Sequence, residues 1–137
     1  MTTFELKQIA RVESPLADLA AAPRQADEGA PEATLVFEPA YADGLRGLRA
    51  GDRVLLFTWL DRADRDVLVN HPRGDPARPQ RGVFTTRSPH RPNPIGLHEV
   101  EILAVDGPRV RVRSLEALDG TPIIDMKQIL NPDISRR

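Results

Sequence analysis

Cysteine is absent from the 137-residue chain. That excludes disulfides and thiolate metal sites outright. Long apolar runs are missing as well, and none approaches the length that crosses a bilayer. The N-terminal stretch is not a secretory signal, so the chain is expected in the cytoplasm. No Gly-x-Gly-x-x-Gly follows an apolar segment, which argues against a doubly wound nucleotide fold. The formal net charge is only −1, so bulk electrostatics does not advertise a nucleic-acid partner. There is no internal repeat and no low-complexity linker.

What is present reads as one globular domain, residues 1–137, with 40% hydrophobic and 28% charged residues. The informative stretch runs from Gly82 to Leu97. Its sixteen residues hold three prolines, two arginines, one histidine and two glycines. Val83 and Phe84 open it as a short apolar strand. Pro89, Pro92 and Pro94 each lack an N–H and fix φ, which forbids helix and a central ladder position. They also push Ser88, Arg91 and Asn93 towards extended backbone. The expectation is a stiff loop that loses little entropy on binding. Arg87, His90 and Arg91 are donors, which favours a guest with negative charge or many acceptors. From His71 to Arg91 there are five arginines against one acid, Asp75, a local +4. A patch of that sign suits a polyanion or a carboxylate.

The rest of the chain supplies strands. Thr2 to Val12 is expected to open the sheet and to end at Ser14-Pro15. Leu16 to Pro31 is a surface loop rich in alanine. Ala33 to Phe37 is a second strand. Pro39 sits in the first turn of a short helix whose face is Tyr41, Leu45 and Leu48, weakened by Gly44 and Gly47. Arg53 to Leu60 is the most apolar run and is expected to be a fully buried strand. Trp59, the only tryptophan, is either core or a stacking surface. Asp61 to Asp66 is a charged turn, and Val67 to Val69 a short strand. After an irregular loop from His71 to Gln80 comes the Pro/Arg stretch. A strand from Ile95 onwards then meets Arg109 to Arg113, a perfect alternation, through a hairpin at Asp106-Gly107. Asp119-Gly120 is a tight turn before a last strand from Pro122 to Met126. Many short strands, regular turns and one weak helix give a mainly β, single-domain barrel.

The string Gly-Val-Phe-Thr-Thr-Arg-Ser-Pro-His-Arg-Pro-Asn-Pro-Ile-Gly, Gly82 to Gly96, closely resembles the signature of the TrmO family, also called TsaA-like or YaeB-like. Pro23-Arg24-Gln25 is similar to the family's early Pro-Arg-Gln. Val54 to Trp59 resembles its central apolar strand, and Leu118 to Lys127 its closing Asp-Gly-Thr-Pro segment. The resemblance covers nearly the whole chain. It implies a β-barrel that binds S-adenosylmethionine (SAM), pairs as a homodimer, and methylates N6 of a threonylcarbamoylated adenosine beside the tRNA anticodon. The chain is expected to be a single-domain member without the C-terminal extension of bacterial members.

By the same resemblance the cofactor residues are Pro23, Arg24, Gln25, Leu60, Asp61, Arg87, Leu97, Leu118, Asp119, Gly120 and Thr121. Leu60 stands where the family often carries histidine. Arg87 is the candidate for the nucleotide or the methionine carboxylate. Asp119 either reads ribose hydroxyls or the amino group, or simply forms its turn before Gly120. His90, Arg91 and Asn93 are substrate candidates; Arg91 and Asn93 either face the substrate or brace the loop. The catalytic base is open, with His90, Asp119 and Asp125 as candidates acting through water. His71, His90 and His98, spaced 19 and 8 apart, match no metal-ligand motif, so no metal is expected, and no membrane. A SAM-dependent methyltransferase of a small molecule and a non-enzymatic SAM-binding module are the alternative readings.

Overall fold

A computed structural model describes residues 1–16 and 31–130 of the 137. Eight strands are described: β1 (Ala10–Glu13), β2 (Ala33–Phe37), β3 (Arg53–Trp59), β4 (Val69–Asn70), β5 (Arg81–Gly82), β6 (Ile95–Asp106), β7 (Arg109–Arg113) and β8 (Pro122–Gln128). Six of them close a barrel in the order β1-β2-β7-β6-β3-β8, every pair antiparallel. Closure leaves no sheet edge within the barrel. β4 and β5 form a separate small hairpin beside it.

Alternation along the strands sorts the side chains. On β7, Val110 and Val112 are buried and the three arginines are exposed. On β2, Ala33, Leu35 and Phe37 point inward. With Val12, Val54, Leu56, Val100, Ile102 and Ile123 they fill the barrel. Leu115 joins the same core from the segment between β7 and β8. Asp106 pairs with Arg109, so the β6–β7 hairpin has a two-residue loop. Gly107 has φ +58 and Pro108 cannot follow it there, which selects a type II′ turn.

Several sequence expectations are corrected. The opening strand begins at Ala10, not Thr2: among the described residues no strand pairs with residues 1–8, and Phe4 and Leu6 lie exposed. β3 is not fully buried: Val54, Leu56 and Thr58 face inward, whereas Leu55, Phe57 and Trp59 lie on the half-covered outside. A single-layer barrel has only one dry face. The short helix is a 3-10 helix, Pro39–Leu45, in which residues three apart eclipse. Leu45 and Leu48 accordingly reach the core and Tyr41 does not. The strand at Val67 to Val69 narrows to β4. The strand at Val83 and Phe84 is replaced by a 3-10 turn, Val83–Thr85, after β5. The Thr85 and Thr86 hydroxyls donate to the carbonyls of Gly82 and Val83 and hold the turn.

Candidate functional site

The Pro/Arg stretch is held by its own side chains. Arg91 donates through Nε to Ser88 O (2.7 Å) and through one terminal nitrogen to Val83 O (2.5 Å) and Thr86 O (2.6 Å). Three prolines leave the loop without ladder hydrogen bonds, and one guanidinium fork collects the carbonyls instead. Arg87 donates to Leu97 O at 2.8 Å and ties the loop to the start of β6.

A second loop, residues 60–66, is stitched to the first. Leu60 N–H donates to Pro94 O at 2.8 Å, and Asp64 N–H to His90 Nδ1 at 3.0 Å. Arg65 donates to Pro92 O (2.7 Å) and Asn93 Oδ1 (3.3 Å), while its guanidinium lies 5.1 Å from the Trp59 ring centroid. Trp59 therefore supports a cation–π contact on the barrel's outside.

A third wall is the segment between β7 and β8. Ser114 turns the chain with φ +64, a left-handed conformation rare outside glycine. Gly120 takes φ +84 and donates to Val12 O at 2.7 Å. Asp119 Oδ1 accepts from Ser14 N–H at 3.0 Å, and Thr121 Oγ1 donates to Leu118 O at 2.7 Å.

Between these walls lies an open cleft of about 1730 Å³. Leu60, Asp61, Arg87, Leu97, Leu118, Asp119, Gly120 and Thr121 all line it, and so do His90 and Arg91. Residues far apart in sequence are thus brought to one place. Asn93 is not among the lining residues, and its carboxamide oxygen is held by Arg65. Asp125 sits on β8 opposite Phe57, exposed and 3.4 Å from Lys127, and does not reach the cleft. Pro23, Arg24 and Gln25 lie outside the described residues.

Sequence reading passed over one cluster. His98 Nδ1 lies 2.6 Å from Glu116 Oε1, and His98 Nε2 lies 2.8 Å from Thr58 Oγ1. His98 and Glu116 line the cleft, whereas Thr58 is fully buried in the barrel. The signal that could have found it is the inward parity of Thr58, Gly96 and His98 on the two apolar strands. Three polar or vacant positions there demand mutual satisfaction. Of the arginines in the basic stretch, Arg78 lies 3.8 Å from Asp75 and Arg81 donates to Thr85 O. Among the described residues no cluster of three metal-ligating side chains occurs, and no helix is long and apolar enough to cross a membrane.

Fold and cleft together define a class: among the described residues, a closed six-stranded antiparallel barrel rather than a Rossmann sheet, with a loop-walled cleft beside it. The model of the tRNA-methyltransferase O N-terminal domain matches residues 11–132. The chain belongs to that family. An S-adenosyl-L-methionine-binding protein of Archaeoglobus fulgidus is 45% identical over 129 residues, covering 94% of this chain and 91% of that one. A probable S-adenosyl-L-methionine-binding protein of the same organism is 40% identical over 127 residues, 93% of this chain but 34% of that one. The crystal structure of TrmO from Pseudomonas aeruginosa superposes with a TM-score of 0.76 at 28% identity, covering 99% of this chain and 60% of that one. The chain therefore spans about a third of one relative and about 60% of the TrmO chain.

Proposed function

We propose that the cleft binds SAM and that the chain is a SAM-dependent methyltransferase acting on N6 of a threonylcarbamoyladenosine beside the tRNA anticodon. The carrying observation is convergence. The eight described residues that the family resemblance assigns to the cofactor line one cleft. The groups fit the ligand. Leu60, Leu97 and Leu118 offer apolar wall for an adenine, Arg87 a guanidinium for a carboxylate, and Asp119 an acceptor for hydroxyls. SAM, when bound, supplies a methyl group activated by its sulfonium sulfur.

The protein's part is alignment and proton handling. The Arg91 and Arg65 clamps keep the two loops in place. At about 1730 Å³ the cleft exceeds the ~300–1,000 Å³ of ordinary ligand sites, which leaves room for an acceptor beside the cofactor. His90 accepts from Asp64 N–H at Nδ1, so the neutral ring carries its proton on Nε2 and acts as a donor. Of the three candidate bases that leaves Asp119, which lines the cleft where Asp125 does not, its second carboxylate oxygen being the one that would take the N6 proton through water. His90 on the rim is exposed and available to phosphate or carbamoyl oxygens. Leu68, Val69 and Phe84 form an exposed apolar rim around the β4–β5 hairpin, and Val69 reaches the cleft. This rim supports pairing of two chains across the site as a homodimer.

A second reading is a SAM-binding module that transfers no methyl group to RNA. It is favoured by the relative of which this chain covers 91%, whose name states SAM binding alone. Calorimetry tests the shared part: a SAM dissociation constant weaker than about 1 mM would remove both readings. Tritium transfer from methyl-labelled SAM separates them. Label is expected in tRNA from a strain lacking this modification. Binding without label in tRNA leaves the second reading, or a small-molecule acceptor.

A further inference from the structure

The carboxylates of the cleft have identifiable partners. Glu99 and Glu101 lie 3.4 Å from Arg53 and 3.9 Å from Arg113. Asp119 takes the Ser14 N–H, and Asp61 is exposed to water. Glu116 differs from all of them. Its side chain is only 17% exposed, and its partner is an imidazole rather than a guanidinium or ammonium.

The direction of that contact follows from chemistry. An ionised carboxylate can only accept, so His98 Nδ1 carries the ring proton. Nε2 lies 2.8 Å from the Thr58 hydroxyl, which can serve that nitrogen as donor or acceptor. The contacts run in series, from Thr58 in the barrel interior through His98 to Glu116 at the cleft wall. Hydroxyl, imidazole and carboxylate in this order look like a nucleophilic triad. The burial order is opposite. Thr58 is sealed at 0% exposure and does not line the cleft, so no substrate meets the hydroxyl. What faces the cleft is the carboxylate end.

The His98 ring orients Glu116 through Nδ1. Among the described residues no lysine or arginine pairs with it. A mostly buried carboxylate that no lysine or arginine pairs with is suited to a ligand that brings its own positive charge. Glu116 also stands two residues before Leu118, at the start of the wall that carries Asp119, Gly120 and Thr121. Arg87 lines the same cleft with the opposite charge. The two signs match a zwitterionic amino-acid group.

We propose that Glu116 is a ligand-binding carboxylate that takes the α-ammonium group of the bound SAM, with His98 and Thr58 as the positioning residues that aim it. The assignment rests on the SAM reading of the cleft.

The test is calorimetry on the full chain with three ligands: SAM, S-adenosylhomocysteine and 5′-methylthioadenosine. The first two carry the ammonium and the third does not. Glu116→Gln keeps a carbonyl for His98 and removes the charge. It is expected to weaken SAM and S-adenosylhomocysteine by about 10–100-fold and 5′-methylthioadenosine by less than about threefold. His98→Asn, which leaves the charge but removes the ring that aims it, is the second variant, and the same selectivity is expected. Equal loss for all three ligands in both variants overturns the assignment in favour of a wall-forming role. Loss confined to SAM points to the sulfonium and overturns it too, as does no loss at all. If the unaltered chain binds none of the three, the SAM reading itself falls and takes this one with it.

Discussion

Gly96 faces Thr58 across the β3–β6 ladder, and the place of its missing side chain is already occupied. A Cβ there would overlap Thr58 Oγ1, stand 2.8 Å from His98 Nε2 and 3.3 Å from Leu60 Cδ1. Its glycine serves close approach rather than φ. Gly96→Ala is expected to cost about 1–3 kcal/mol by overpacking a filled interior. Denaturant midpoints measure it. Thr58→Ala with Gly96→Ala should cost less than the two single changes added, because the first removes part of the clash. Strict additivity would mean that the two side chains do not compete for one space.

Arg91 holds the Pro/Arg loop through three carbonyls. Arg91→Lys keeps the charge and loses the planar fork. Each lost hydrogen bond is worth about 0.5–1.5 kcal/mol net. The expected result is faster hydrogen exchange and proteolysis within residues 83–94, with SAM affinity lowered several-fold. Unchanged exchange would place the loop's order in its prolines alone.

Arg87 is exposed, and among the described residues its guanidinium donates to Leu97 O. Arg87→Ala is expected to leave the melting temperature nearly unchanged and to weaken SAM by about 1–3 kcal/mol, since a charge-assisted hydrogen bond is lost. Calorimetry reads it. Equal affinity in the variant would reduce Arg87 to a tether between the loop and β6.

Much of this architecture is legible in residue order, and the gaps have physical causes. Arg109 to Arg113 alternates without exception, and Ala33 to Phe37 is bounded by prolines on both sides, so both strands fall where expected. The Gly82 to Gly96 string pointed to the cleft because its residue types are so unusual together. Phe4 and Leu6 mislead, since apolar residues imply a covering partner and both lie exposed among the described residues. Val83 and Phe84 mislead in another way: threonine hydroxyls two positions on capture the backbone into a 3-10 turn. Asp125 looked chemical beside the Asp-Gly-Thr-Pro segment, but β8 carries it away from the cleft. Spacing offers His98 only as a metal-ligand candidate, because Thr58 and Glu116 lie 40 and 18 residues away. Only strand register joins them.

Glu13 links β1 to β7 on the barrel's outside. Its Oε1 accepts from Arg109 at 2.7 Å and its Oε2 from Arg11 at 3.0 Å. Arg109 first, then Arg11, holds the carboxyl below its ordinary value of 4.5. A depressed folded-state pKa means that folding favours the ionised form. The contribution is therefore complete above 4.5 and disappears as pH falls through the lower folded value. The pair is exposed, so the effect is small and weakened by salt. Melting curves of the unaltered chain and Glu13→Gln between about pH 6 and about pH 3 test this. The unaltered chain is expected to melt higher at the upper end, the gap closing towards the lower end. Raising the salt to about 1 M is expected to shrink the gap at the upper end. A gap that ignores both pH and salt would assign Glu13 to packing rather than charge.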